Sequence, residues 1–403
     1  MMLSFIIILS FSCSEVSRPL QTVSITETAG ISRDLEYVAI PVELERSLDG
    51  SRGICMKEQD KEDLILGQIL DSTFQSGNKI SYSCLFPISI KANMTKHYEI
   101  YLSEDGKLHD EQLVLKGPGA NIKLENTYFV ADLTDVKANP QNGLGSGQLA
   151  GLVLKQFDDK LLERYHINMH WAPNFQKEGL DYKTFGHIIH PDSTFVQKGP
   201  YKVTMYKSGY VEGYDEIRVS GTYEFFAGLP YFIFSSEIKM ERETELMLLR
   251  NDEMTMDSLF TDVMYMHPDG ETGAVALYND KEMQDLEQDP IRDDATWLFF
   301  YHDMLNYGFG SIRMYYDNTN LQGDPSPLYE QHTKITPSAN NGRYWNRRLV
   351  HEYNTLIPAG SRYTEKNAYL VFRAHPENPS GEIVKYHRLL TSPLAITTEA
   401  HAN

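Results

Sequence analysis

Apolar and polar residues alternate along most of this chain, the period-two signature of strands with one face buried. Residues 37–44 (YVAIPVEL) read as an early strand, and Pro41, which has no N–H to donate, favours a sheet edge or a bulge there. Residues 80–90 and 97–102 follow, then 122–133 and 149–155. The stretch 140–147 between the last two is rich in glycine and polar residues and suits a loop near a cleft. The centre is clearest, with strand-like runs at 201–206, 214–220, 223–226 and 231–240 and a turn at Gly228-Leu229-Pro230. In the last run Phe232, Phe234, Ser236, Ile238 and Met240 share one face, which predicts an antiparallel meander. Residues 278–289 predict a short helix stopped by Pro290, and strands resume at 296–301, 311–316, 343–353 and 367–373. Helices do not alternate with strands. The predicted fold is mainly β, a large antiparallel β-sandwich or supersandwich with few short helices.

The first eleven residues (MMLSFIIILSF) break this pattern. They are too few to span a bilayer as a helix and read as the apolar part of an export signal. Ser12-Cys13 resembles a bacterial lipoprotein cleavage site. Residues 1–13 are therefore expected to be an export signal of lipoprotein type, with Cys13 carrying a lipid anchor and the protein in the periplasm or at the cell surface. Residues 14–33 read as a flexible spacer. Residues 34–403 read as the catalytic β-sandwich unit, with 34–135 as a candidate N-terminal lobe. Cys55 and Cys84 remain after processing, either as one disulfide or as two buried thiols.

Composition then narrows the function. Of 403 residues, 56 are acidic and 37 basic, a formal charge of -19 that repels nucleic-acid phosphates. Neither a phosphate-loop signature nor a glycine-rich dinucleotide fingerprint occurs. Candidate chemistry gathers in a few stretches. In residues 165–171 (YHINMHW) an extended backbone places His166, Asn168 and His170 on one face and Trp171 on the other. Imidazole transfers protons near neutral pH, an amide orients a hydroxyl, and an indole offers a flat face to a sugar. His187 and His190 follow, but Pro191 argues against a helix, and no glutamate lies between them as in a zinc-protease helix.

Residues 343–353 (RYWNRRLVHEY) would set Trp345, Arg347, Leu349, His351 and Tyr353 on one side of a strand. Three arginines in so acidic a chain suggest capture of an anion, although a strand paired with the protein's own acids accounts for them too. Residues 248–257 run from two leucines into what reads as a polar turn. Arg250, Asn251 and Glu253 would brace a cleft there, or Asn251, Asp252, Glu253 and Asp257 would attract calcium. Tyr206, Tyr210, Tyr214, Arg218 and Tyr223 cluster on adjacent hairpins. No cofactor is predicted, and structural calcium or zinc is left open.

Residues 122–129, 166–171, 223–240 and 248–260, with the 75–102 region, resemble the bacterial ulvan oligosaccharide dehydratase group, β-rich enzymes similar in broad organisation to uronic-acid lyases. The resemblance implies removal of water from the terminal uronic acid of an anionic algal oligosaccharide. Arg347 or Arg218 would steady the charge growing on the substrate carboxylate. His170 would take the proton, and Tyr210 or His351 would give one to the departing hydroxyl. Asn126, Asn168, Trp171, His187 and Trp345 would position the sugar. The alternatives are a uronic-acid polysaccharide lyase, a glycoside hydrolase using two carboxylates, and a non-catalytic glycan-binding surface lipoprotein.

Overall fold

The computed structural model describes residues 18–48, 51–75, 79–110, 113–135, 144–157, 160–163, 169–256, 258–338 and 341–400. The export-signal segment, His166, Asn168, Asp257 and residues 140–143 of the expected loop lie outside these. The chain is mainly β, as its alternation predicts, and it divides into two compact units: Met1–His109 with Leu394–Asn403, and Asp110–Pro393. Among the described residues, no helix is long and apolar enough to cross a membrane.

The first unit pairs two sheets. One is ordered Ala395–Ala400, Gln21–Thr26, Thr95–Ser103, Gly53–Glu58, Ile65–Leu66; the other Arg33–Leu44, Ile80–Ile90, Gln68–Phe74. Alternate residues of both, among them Ile25, Ile54 and Ile100 from the first and Ile40, Val42 and Phe86 from the second, form one apolar core. Within the 14–33 stretch, Gln21–Thr26 is thus a strand with strands on both sides, and its Val23 and Ile25 are buried. Pro41 lies on an edge strand, opposite Ser83, where its missing N–H leaves no ladder position empty. Cys55 and Cys84 are both buried free thiols on strands of different sheets.

The second unit holds a nine-stranded antiparallel sheet that includes the predicted meander, Lys202–Tyr210, Ile217–Phe226 and Tyr231–Met240, continued by Arg362–Arg373 and Tyr307–Asp317. The sequence suggested a break near Gly221, but Ile217–Phe226 is continuous. A Cβ at Gly221 would lie 2.7 Å from the Phe185 ring and 2.9 Å from Phe234. The glycine therefore makes room for aromatic packing rather than a turn. A five-stranded sheet is ordered Lys183–Thr184, Asn174–Gln176, Thr244–Met256, Arg343–Ile357, His332–Pro337, and a further five-stranded sheet is centred on Phe129–Asp132. The helix expected at 278–289 is Asp280–Gln288, capped by Asn279, whose side chain accepts from the N–H groups of Lys281 and Glu282.

One expectation fails in an informative way. Residues 250–256 are not a turn but the second half of the strand Thr244–Met256, in the middle of its sheet. Arg250, Asn251, Asp252, Glu253 and Thr255 are all buried, so both faces of this strand are enclosed and its polar groups must find partners inside.

Candidate functional site

The strand Thr244–Met256 sends successive carboxylates to different surroundings. Asp252 is fully buried and accepts hydrogen bonds from Tyr369 Oη (2.9 Å), Ser311 Oγ (2.9 Å) and Trp345 Nε1 (3.3 Å). Its pKa is raised by burial against the pull of nearby Arg347. Arg347 is itself fully buried and pairs with Glu365, which also meets Arg313 at 3.3 Å. His170 closes the same network. Leu149 N–H donates to Tyr223 Oη (3.2 Å), Tyr223 Oη lies 2.5 Å from His170 Nδ1, and His170 Nε2 lies 3.5 Å from Tyr369 Oη. Burial pushes the His170 pKa down to about 3, so the ring is neutral.

These placements correct the elimination mechanism drawn from the sequence. A base and a carboxylate clamp must reach substrate, yet His170 and Arg347 are each 0 % exposed and hydrogen-bond to groups inside the protein. Trp345 is likewise core, packed on Phe300 and Phe309. Asn126 gives its amide hydrogens to the carbonyls of Phe226 and Leu229 and accepts from the N–H groups of Tyr128 and Phe129, so it ties two turns together. Tyr210 and Arg218 are opposite partners on neighbouring strands at the surface, where Tyr210 donates to Glu241 and Arg218 lies 3.9 Å from Asp192. His351 lines a separate pocket. His187 accepts from Thr184 N–H through Nδ1 and sets its ring edge-on to Trp171.

Of the nine expected residues that are described, Trp171 alone lines the pocket at the other polar face of Thr244–Met256. This pocket, of about 380 Å³, is bounded by Trp171, Tyr182, Arg250, Glu253, Thr255 and Tyr344 together with Gln176, Leu248 and Ser338. Trp171 N–H donates to Glu253 O (3.0 Å), and the Trp171 carbonyl accepts from Thr184 Oγ1 (2.7 Å) and Asn174 Nδ2 (2.9 Å), so the backbone under the indole is pinned. The Trp171 and Tyr182 rings are parallel within 7°. Glu253 Oε2 accepts from Arg250 Nη1 (2.7 Å), Asn174 Nδ2 (3.1 Å) and Tyr182 Oη (3.2 Å). All three donors converge on that one oxygen; among the described residues none reaches Oε1. Tyr182 is held protonated, its pKa raised by burial and by the Glu253 charge. Among the described residues no group of three or more His, Cys, Asp or Glu side chains is placed to share a metal ion.

The whole fold recurs in solved carbohydrate enzymes. It superposes on a glycosyl hydrolase family 38 protein from Enterococcus faecalis with a TM-score of 0.55 at 10% identity, covering 94% of this chain and 47% of that one. It also superposes on an alpha-mannosidase from Enterococcus faecalis V583 with a TM-score of 0.53 at 10% identity, covering 94% of this chain and 46% of that one. The chain therefore spans about half the length of these proteins. No protein-family model and no curated protein matches its sequence. The likeness overturns the resemblance to ulvan oligosaccharide dehydratases and uronic-acid lyases, because the fold is shared with these two proteins and not with those groups. Sequence reasoning missed Tyr182 and Asn174, and took in Tyr344 only as part of the 343–353 stretch. It did single out Arg250 and Glu253, on a segment whose shape it misread.

Proposed function

We propose that this chain recognises neutral saccharides through the Trp171–Glu253 pocket, as the sugar-binding part of a glycoside-processing protein. The observation that carries the reading is Glu253, fixed by three donors on Oε2 while Oε1 is left for a ligand hydroxyl. Trp171, Tyr182 and Tyr344 supply the flat apolar surface on which a sugar's C–H face packs. The Arg250 charge is already matched by Glu253, and the remaining carboxylate oxygen repels a carboxylate or sulfate, which favours a neutral sugar over the anionic algal oligosaccharide expected at first. Glu253 is the one carboxylate among the described residues lining the pocket, where glycoside hydrolysis would need two. Export through residues 1–11 would put such recognition where polysaccharides are met. Likeness of fold to a family 38 glycosyl hydrolase and an alpha-mannosidase makes mannosides the first ligands to try.

Of the three tryptophans, Trp297 and Trp345 are 1% and 0% exposed, so ligand-dependent fluorescence reports on Trp171. Titration with methyl α-mannoside, methyl α-galactoside and manno-oligosaccharides is expected to give a saturable change that Glu253→Gln weakens by about tenfold and Trp171→Ala removes. Circular dichroism would verify that both variants fold. No response to any of these sugars, or an equal response in Glu253→Gln, would refute the assignment. Release of reducing sugar by the isolated chain would replace it with a hydrolase.

A further inference from the structure

A second polar pocket lies where the sequence placed His351. It measures about 370 Å³, is lined by His332, His351, Glu287, Glu330 and Lys334 with Pro290 and Gln331, and shares no lining residue with the Trp171 pocket. The two imidazoles meet edge to face, their centroids 4.8 Å apart. Each tautomer is set by a partner whose role is fixed. His332 Nδ1 lies 2.7 Å from the carbonyl of Glu330, which can only accept, so Nδ1 carries the proton and Nε2 keeps a lone pair. His351 Nδ1 is met by Arg348 Nη1, and a guanidinium can only donate, so here Nδ1 is the acceptor and the proton sits on Nε2. Burial lowers both pKa values, that of His351 to about 4, which keeps both rings neutral at pH 7.

The backbone on either side of the pair is held in an unfavourable shape. Glu330, two residues before His332, has φ +46, and Glu352, the residue after His351, has φ +49. A left-handed conformation at a non-glycine residue costs about 1 kcal/mol or more, and two such positions flank this one pair. The strand pairing also draws Tyr329 beside His351, whose N–H donates to the Tyr329 carbonyl at 3.1 Å, and the exposed ring of Tyr353 stacks on Tyr329 at 4.5 Å.

We propose that His332 and His351 form a second binding site, which seats a hydroxyl of a polyhydroxylated ligand, a sugar or a polyol, between an acceptor nitrogen and a donor nitrogen. A hydroxyl donates to His332 Nε2 and accepts from His351 Nε2–H at once. A carboxylate would meet the His332 lone pair together with Glu287 and Glu330. A transition metal would find one imidazole lone pair, because His351 presents a proton instead. Lys334 is already engaged by Glu287 at 2.7 Å, so it does not turn the pocket into an anion site.

Long-range ¹H–¹⁵N spectra of the full chain at pH 7, with ring signals assigned by single-histidine variants, would read both tautomers and their response to methyl α-mannoside and to erythritol. The expected spectrum has protonated Nδ1 at His332 and protonated Nε2 at His351, and both rings shift saturably with at least one probe. The shift should persist in Trp171→Ala, which separates this site from the first pocket. His332→Gln, which keeps an acceptor, should retain affinity within about threefold, whereas His332→Leu should lose about tenfold or more. His351→Leu removes the donor from the other side and serves if His332→Leu melts early. The opposite tautomers, no shift with either probe, or a shift abolished by Trp171→Ala would each overturn the proposal.

Discussion

His170 shares a hydrogen bond with one tyrosine and faces another inside a sealed core, and its pKa is pushed down to about 3 by burial alone. In the unfolded chain the same ring titrates near its ordinary value of about 6.5. Between those two values the unfolded chain takes up a proton that the native chain refuses. The contribution of His170 to stability is therefore complete above pH 6.5 and is lost as the pH falls toward 3. A shift of this size corresponds to roughly 5 kcal/mol at the acid end, an upper figure because other groups titrate in the same range. Denaturant unfolding measured from pH 7 to pH 4 should show a steeper acid decline for the wild type than for His170→Phe, by up to one proton. Equal slopes would mean that the native ring is already protonated or exposed. The sequence offered no means of seeing this, because a histidine one position before a pocket tryptophan has the same letters whether it faces ligand or core. Trp171 lines a pocket and His170 is core, because one residue further along an extended backbone points the opposite way.

Alternation marked the meander from Lys202 to Met240 directly, but it also runs through Gln21–Thr26, a strand that was read as part of a spacer. A strand buried on both faces carries no alternation, and one that also carries charge resembles a turn. That is the case of Arg250-Asn251-Asp252-Glu253, read as a turn although it is the second half of a buried strand. Its neighbour Arg343–Ile357 shows the same ambiguity, because Arg347 faces Glu365 and the core rather than an anion from solution. Nε of Arg347 and Oε2 of Glu365 have no partner among the described residues, so this ion pair is only partly satisfied. Arg347→Met should leave Glu365 and Asp252 buried with less compensation and cost about 3–5 kcal/mol. The double variant Arg347→Met, Glu365→Gln should recover much of that loss, because removing both charges removes their desolvation penalty as well. A double-mutant cycle of unfolding free energies measures this, and strictly additive losses would show that the two residues do not form a functional pair.

The two units have separate apolar cores, one around Ile40, Phe86 and Ile100, the other around Phe225, Phe234 and Tyr369. Each also carries its own reporter. All three tryptophans lie in Asp110–Pro393, whereas Cys55 and Cys84 are in Met1–His109. Both thiols are buried, and burial raises their pKa values to about 11 and about 12, so the folded protein shields them both sterically and by protonation. Smaller domains bury a lower share of their surface than larger ones, so the smaller unit should be the less stable. In a Cys13→Ser chain, labelling of Cys55 and Cys84 along a urea titration should therefore come to completion before tryptophan fluorescence changes, with midpoints separated by about 0.5 M or more. A reducing agent should leave both transitions in place, because neither unit relies on a disulfide. Coincident midpoints would show that the two cores melt as one cooperative structure, and stability changes from Arg347 or His170 variants would then appear in the thiol signal too. Separate midpoints carry the opposite consequence: those variants should move the fluorescence transition and leave the thiol transition where it was.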